Sequence, residues 1–286
     1  MINYVSTAYK FFGPISKTIK PYFLDIKGDL QKANMGYTLE EYLSTTLFTT
    51  AITFFLECVL LAFIFGFLVT PLVALFLSLT LSTTVSGLLL FLFYTYPAAS
   101  ARNREGKIKK VLPFSISYMA TIASARLSPI ILFKTIAKFK EYGEISEEAK
   151  NITKDVDLFG MTFSSALKRR AKRTPSKDLR ELLWGINSVI ASGSDLMSYL
   201  NGKAEEFMTD YRRRIRKFSQ DLSLIVEIYL TLIITGSIFF IVLSSIISAI
   251  SPGLETVSIQ TFVVFILLPI VSIAFIILIK SMSPTE

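Results

Sequence analysis

The side chains that could do chemistry in this chain are nearly all charged, and the usual catalytic types are scarce. There is no histidine, which is the commonest general base and metal ligand, and the single cysteine, Cys58, cannot form an internal disulfide. A glycine-rich phosphate-binding loop is missing as well. We therefore predict no catalytic residue, no metal site and no cofactor, and we expect function to reside in binding surfaces.

Two dense basic runs are candidate binding surfaces. The first run contains Lys168, Arg169, Arg170, Lys172 and Arg173. It suits either an acidic face of a partner protein or lipid phosphates, although a plain solvated helix end would also collect cations because the helix dipole favours them there. The second run, assigned to anionic lipid head groups, contains Arg212, Arg213, Arg214, Arg216 and Lys217. Further cations from Arg102 to Lys110 are expected at head groups too. No aromatic residues are interleaved with the first run, so nucleic acid is not an expected partner.

Two carboxylates, Glu57 and Glu227, fall inside apolar tracts. An ionisable group in the bilayer is costly and normally faces a protein or aqueous neighbour, so both are candidates for contact with another helix or subunit. The alternative for Glu227 is an interfacial position, since Asp221 lies only six residues before it. The acidic stretch from Glu141 to Asp157 is expected to form a solvated face, and Trp184 is expected in a helical core.

The elements that carry these residues begin with long apolar tracts. Leu43 to Tyr96 contains one charged residue, Glu57, and is long enough for two spans of about 20 residues. Turn signals at Gly66 and Thr70-Pro71 place these spans near 45–67 and 72–95. A second tract predicts spans near 223–249 and 258–279, joined by an external loop at Ser251-Pro252-Gly253.

The segment between the tracts is the least apolar part of the chain. Residues 97–221 hold 24 Lys/Arg against 14 Asp/Glu, and this positive excess favours the cytoplasmic side of the membrane. Apolar residues recur there at helical spacing without strand-like alternation, and helix-start signals stand at Ser128-Pro129, Ser146, Thr162 and Thr174-Pro175. This pattern predicts a bundle of six helices.

The sequence therefore predicts an all-α membrane protein with four transmembrane helices in two hairpins that flank a cytoplasmic six-helix bundle. The predicted segments are an amphipathic cytoplasmic stretch (1–43), hairpin 1 (44–96), the bundle (97–221), hairpin 2 (222–280) and a cytoplasmic tail (281–286). The amino-terminal stretch, with a helix cap expected at Thr38, would lie on the membrane surface or pack on the main domain.

Several short motifs, in this order between two hairpins, resemble the type II secretion F domain. They are Leu112-Pro113-Phe114, Ser128-Pro129, Gly160-Met161-Thr162-Phe163, Gly193-Ser194-Asp195-Leu196, Glu227-Ile228-Tyr229-Leu230-Thr231 with Gly236, and Leu268-Pro269-Ile270 with Phe275. The resemblance covers roughly residues 30–280. The chain departs from the family in having Arg126 where glycine is common and Ser237 where proline is common.

This family comprises inner-membrane platform proteins of type IV pilus, type II secretion and archaeal flagellum assembly. With the bundle in the cytoplasm, the four predicted spans place both termini in the cytoplasm, and the resemblance implies a multi-pass protein of the cell membrane. It further implies, as partners, a hexameric secretion ATPase docking on the first basic run, pilin-like subunits, anionic lipids, and a second copy or a paired homologous platform subunit. A small transporter or channel component and a membrane-anchored adaptor remain the alternatives.

Overall fold

The computed structural model describes residues 2–250 and 254–282, and within these residues the chain is helical with no strand. The α-helices are α1 (Ile2–Ile19), α2 (Leu24–Lys32), α3 (Leu39–Gly66), α4 (Pro71–Ala123), α5 (Pro129–Ile136), α6 (Glu144–Asp157), α7 (Phe163–Arg173), α8 (Lys177–Ser192), α9 (Leu196–Ile228), α10 (Gly236–Ile250), α11 (Leu254–Phe262) and α12 (Leu268–Met282). Short 3-10 segments occupy Lys20–Phe23 and Lys140–Tyr142, and π-helical segments occupy Tyr229–Thr235 and Val263–Leu267.

Four helical stretches are long and apolar enough to cross a membrane: Leu39–Gly66, Pro71–Ala123, Leu196–Ile250 and Ser258–Met282. The all-α class and the four spans are thereby confirmed. The predicted external loop at Ser251-Pro252-Gly253 and the end of the predicted tail, 283–286, lie outside the described residues. The chain divides into two compact units, Met1–Asn201 and Gly202–Glu286.

In the first unit, α3 and α4 form the first hairpin. Thr38 caps α3 as predicted: its Oγ1 accepts from the Glu41 amide at 3.3 Å, while Glu41 Oε2 accepts from the Thr38 amide at 2.8 Å. This reciprocal capping box satisfies two amides that the first turn of a helix leaves unpaired. The helix ends at Gly66, and α4 starts at Pro71, whose fixed φ and missing N–H suit a first helical position. The predicted turn is therefore confirmed.

The amino-terminal segment packs along this hairpin. Ser44 Oγ on α3 donates to Ser16 Oγ on α1 at 3.0 Å, and the rings of Tyr4 and Phe48 meet edge to face with centroids 5.5 Å apart. The segment thus packs on the first hairpin, and its position on the membrane surface or on the main domain stays a prediction. An apolar cluster then joins α2 to the start of α3; it consists of Ile26, Leu30, Leu39, Tyr42 and Leu43.

The bundle starts within α4, which continues for 53 residues through Pro97 and Pro113. One face of α4 buries Ile108, Leu112 and Ile116, and α4 packs there against α5, α6 and α8. The predicted starts at Ser128 and Thr162 are confirmed, because these residues precede α5 and α7. Two other predicted starts are displaced.

The start expected at Ser146 is wrong because α6 begins at Glu144, after Gly143 has reversed the chain with φ of 48°. The start expected at Thr174-Pro175 falls two residues early, since Ser176 is the cap whose hydroxyl accepts from the Leu179 amide. Trp184 was expected in the core but is 38% exposed on α8, so that prediction is also wrong. With the bundle part of α4 and the start of α9, six helices contribute to residues 97–221.

In the second unit, the two motif stretches that support the family resemblance come into contact. Tyr229 Oη lies 3.2 Å from Ser272 Oγ, and the ring centroids of Tyr229 and Phe275 are 5.3 Å apart. Tyr229 opens a π-helical segment in which the Thr235 hydroxyl donates to the Leu230 carbonyl, five residues back. Wider π-helical turns inside α-helices often mark functional positions.

Candidate functional site

The first basic run forms most of α7, and the fold divides its side chains into two groups. Lys168 and Lys172 are one helical turn apart and exposed, and no hydrogen-bond or ion-pair partner faces either of them among the described residues. Arg170, by contrast, is buried between α6 and α7. The helix therefore presents a lysine face outward and an arginine face inward.

The inward arginines are held by a single carboxylate, Asp155 on α6. Arg170 Nε and Arg169 Nη1 each lie 3.2 Å from an oxygen of Asp155, which is 1% exposed. A buried charge is tolerated only when it is paired and hydrogen-bonded, so these contacts are structural requirements of the α6–α7 pair. Of the predicted docking residues, Arg170 is consequently unavailable to a partner at the surface.

A second buried ion network centres on Arg104 of α4. Its Nε donates to Glu144 Oε2 and its Nη2 to Glu148 Oε1, both at 2.6 Å, while Nη1 donates to the Lys32 carbonyl at 2.9 Å. One guanidinium thus ties α4 to α6 and to the carboxyl end of α2. Guanidinium suits this role because its donors are fixed in a planar fork.

These networks correct two expectations from the sequence. Arg104 was assigned to lipid head groups but is buried, and Glu148 and Asp155 were assigned to a solvated face but are buried, Glu148 beside Arg104 and Asp155 beside Arg170. The burial of Arg104 could have been predicted from its spacing before Ile108 and Leu112, because this spacing places the arginine on the buried stripe of α4. Burial raises the pKa of Glu148 above its ordinary value, and the neighbouring Arg104 opposes this rise.

Glu57 lies on α3 of the first hairpin, and α3 packs against α4. A row of small residues on α4 allows the two helices to approach closely; it consists of Ala74, Ser78, Ser82 and Ser86, all buried. The Oε2 atom of Glu57 and the hydroxyls of Ser82 and Ser86 are buried and lack hydrogen-bond partners within the described part of the chain. This carboxylate oxygen is therefore unsatisfied but lies out of reach of a partner at the surface.

The predicted residues of the second unit lie on α9. Arg212, Arg213, Arg216 and Lys217 are exposed and Arg214 is partly exposed, while Arg213 lies 3.5 Å from Asp210. Glu227, near the end of α9, is exposed. Among the described residues, no group of three or more potential metal-binding side chains lies close enough to hold an ion.

Comparison with known proteins finds one family and three relatives. Residues 115–244 match the family described as type II secretion system (T2SS), protein F. Three relatives come from Methanocaldococcus jannaschii. An uncharacterized protein, MJ1286, is 25% identical over 207 residues, which is 70% of this chain and 34% of the relative. A second, MJ0780, is 34% identical over 97 residues, or 34% of this chain and 29% of the relative.

The third relative is flagella accessory protein J, which is 23% identical over 179 residues, covering 58% of this chain and 32% of that protein. The chain thus spans about a third of the length of the curated relatives it matches. No solved structure matches the chain significantly.

Proposed function

Because this chain belongs to the type II secretion system protein F family, we propose that it is a non-enzymatic platform protein of a pilus, archaellum or secretion machine. With its family and four helices able to span a bilayer, it is a multi-pass membrane protein. In the proposed role, the bundle binds a hexameric cytoplasmic ATPase while the hairpins guide pilin-like subunits. The observation that carries the proposal is the family match over 115–244, which includes α5 to α9.

The ATPase contact is proposed for the exposed lysine face of α7, Lys168 and Lys172. Arg169 and Arg170 hold α7 against α6 instead, because both are hydrogen-bonded to Asp155. Exposed cations with no internal partner remain free to pair with an acidic surface and to accelerate its approach. The buried ion networks suit the bundle to transmit force, because displacing α6 from α4 or α7 would separate buried charges.

The membrane contacts complete the proposal. The partly exposed Glu57 in the first hairpin and the exposed Glu227 are proposed to meet a pilin-like subunit or a second platform copy. Arg212, Arg213, Arg214, Arg216 and Lys217 are proposed to bind anionic lipids, with both chain termini in the cytoplasm. The continuous helix α9 would carry motion from the bundle toward the third span.

The experiment is binding of the cognate secretion ATPase to the full chain in nanodiscs, measured at several salt concentrations. Charge reversal at Lys168→Glu and Lys172→Glu is expected to weaken binding at least ten-fold and to reduce its salt dependence. A matched reversal at Lys138→Glu and Lys140→Glu, which are also exposed, should leave binding within about two-fold. Equal effects of the two reversals would move the contact elsewhere, and absence of binding by the folded wild type would count against the platform role.

A further inference from the structure

A polar cleft opens where the amino-terminal helices, the start of α3 and the end of α7 meet. Its volume of about 680 Å³ lies within the roughly 300–1,000 Å³ typical of small-molecule sites. The charged residues that line it are Lys20, Lys27, Glu40, Glu41 and Arg173. Its position beside the first turn of α3 puts it at the boundary of the first membrane span.

The two carboxylates of the cleft are already engaged. Glu40 Oε1 accepts from Lys20 Nζ at 2.7 Å, and Glu40 Oε2 accepts from the Tyr9 hydroxyl at 3.3 Å. Glu41 Oε2 belongs to the capping box of α3, where it accepts from the amide and hydroxyl of Thr38. Lys20 balances the charge of Glu40, whereas Glu41 keeps its negative charge, so the three cations and two carboxylates that line the cleft leave a net positive charge of one.

Lys27 and Arg173 are the remaining cations. Neither has an ion-pair or hydrogen-bond partner in the described parts of the chain, and both line the cleft from different elements. Around Arg173 the positive charge is in excess, because Asp155 is shared by Arg169 and Arg170. Burial lowers the pKa of Arg173, and the neighbouring arginines lower it further. An anion in the cleft would relieve this repulsion.

The surroundings favour a lipid as the source of that anion. Tyr9 and Tyr37 also line the cleft, and tyrosine is enriched where membrane and water meet. A neighbouring groove of about 350 Å³ is almost wholly apolar and is lined by residues that include Phe23, Leu90 and Phe91. The apolar cluster between α2 and α3 contributes walls to both cavities, through Leu30 and Leu39 to the cleft and through Ile26, Tyr42 and Leu43 to the groove.

We propose that this cleft binds the phosphate group of an anionic phospholipid through Lys27 and Arg173. The lipid would link α2 to the carboxyl end of α7, so that the bundle is held to the membrane boundary of the first hairpin. The site is independent of the platform role, because it requires only that α3 crosses a membrane. A soluble phosphate compound is the competing source of the same chemistry.

The test uses the full chain in neutral detergent and native mass spectrometry with phosphatidylglycerol. Each Lys or Arg near anionic lipid is worth about five-fold in affinity, so Lys27→Gln should weaken binding about five-fold and Lys27→Gln with Arg173→Gln about thirty-fold. If the double variant does not fold, the single variant Lys27→Gln still tests the proposal, because it changes only an exposed side chain. Lys138→Gln with Lys140→Gln is the matched control, since it removes two exposed cations that do not line the cleft.

The expected result is a bound phosphatidylglycerol that phosphatidylcholine does not replace, with loss in the cleft variants and retention in the control. Equal binding by the wild type and both cleft variants would overturn the proposal, and so would equal loss in the control variant. Glycerol phosphate that displaces the lipid at a matched concentration would assign the cleft to a soluble ligand instead and would also overturn it.

Discussion

Removing Arg104 is expected to destabilise the bundle more than removing any exposed cation. The substitution Arg104→Met keeps much of the side-chain volume but leaves Glu148 buried without its cation and the Lys32 carbonyl without its donor. Breaking a buried ion pair from one side costs about 3–5 kcal/mol, whereas Glu144 is partly exposed and can regain water. We therefore expect a loss of about 3–5 kcal/mol, which is a large share of the ~5–15 kcal/mol that stabilises a typical domain.

The assay is guanidinium unfolding of the full chain in mild detergent, followed by the fluorescence of Trp184. This residue is the only tryptophan and lies on α8, so its emission reports on the bundle. Arg102→Met, an exposed position on the same helix, is the matched control and should cost less than about 0.5 kcal/mol.

A double variant separates the unpaired charge from the lost packing. Arg104→Met with Glu148→Leu removes both buried charges and should recover most of the loss, because buried ion pairs are often replaceable by apolar residues. A cost below about 1 kcal/mol for Arg104→Met alone would refute the reasoning, since Glu148 would then be stable without a partner.

The same carboxylate gives the bundle a defined pH response. Burial raises the pKa of Glu148 above the ordinary value of 4.5, so the folded state holds this proton more tightly than the unfolded state. Its contribution to stability is complete below pH 4.5 and falls as pH rises through the folded-state pKa. Glu148→Gln should abolish this fall, and the cost of Arg104→Met should shrink toward low pH. Superimposable unfolding profiles for wild type and Glu148→Gln between about pH 4 and 8 would contradict this sign.

Three further predictions concern backbone, packing and transmission. Arg126 is exposed and has φ of 51°, a conformation that glycine adopts without strain, so Arg126→Gly should raise the unfolding free energy by about 1 kcal/mol; unchanged stability would argue against backbone strain. A methyl group on Gly185 would overlap the hydroxyl end of Tyr199, so Gly185→Ala should lower the unfolding free energy by about 1 kcal/mol. Adding Tyr199→Phe should restore part of this loss, and an equal loss from Gly185→Ala with Tyr or Phe at position 199 would exclude this contact. Prolines at Tyr211 and Ile215 break a helix interior at about 3 kcal/mol each, so they should abolish filament assembly in cells while membrane insertion, followed by fractionation, persists; normal filaments would exclude α9 as a lever.

Much of the fold is readable from local patterns. The apolar tracts, the turn between Gly66 and Pro71 and the cap at Thr38 depend on neighbours within a few residues, so composition and spacing suffice to predict them. The departure at Arg126 is equally local, because this residue has a left-handed conformation after α4 that glycine adopts without strain.

The pairing of charges required the tertiary structure. Arg104 and Glu148 are 44 residues apart, and helical periodicity assigns each to a face of its helix without saying which faces meet. Trp184 was misplaced for the same reason, because it lies beside an apolar stripe that is already filled by Leu183 and Ile186. Lys27 and Arg173 share a cleft only because α2 and α7 converge at the start of α3. Amino-acid types and short-range spacing determine which helices form, whereas which charges are buried, paired or left free depends on long-range packing.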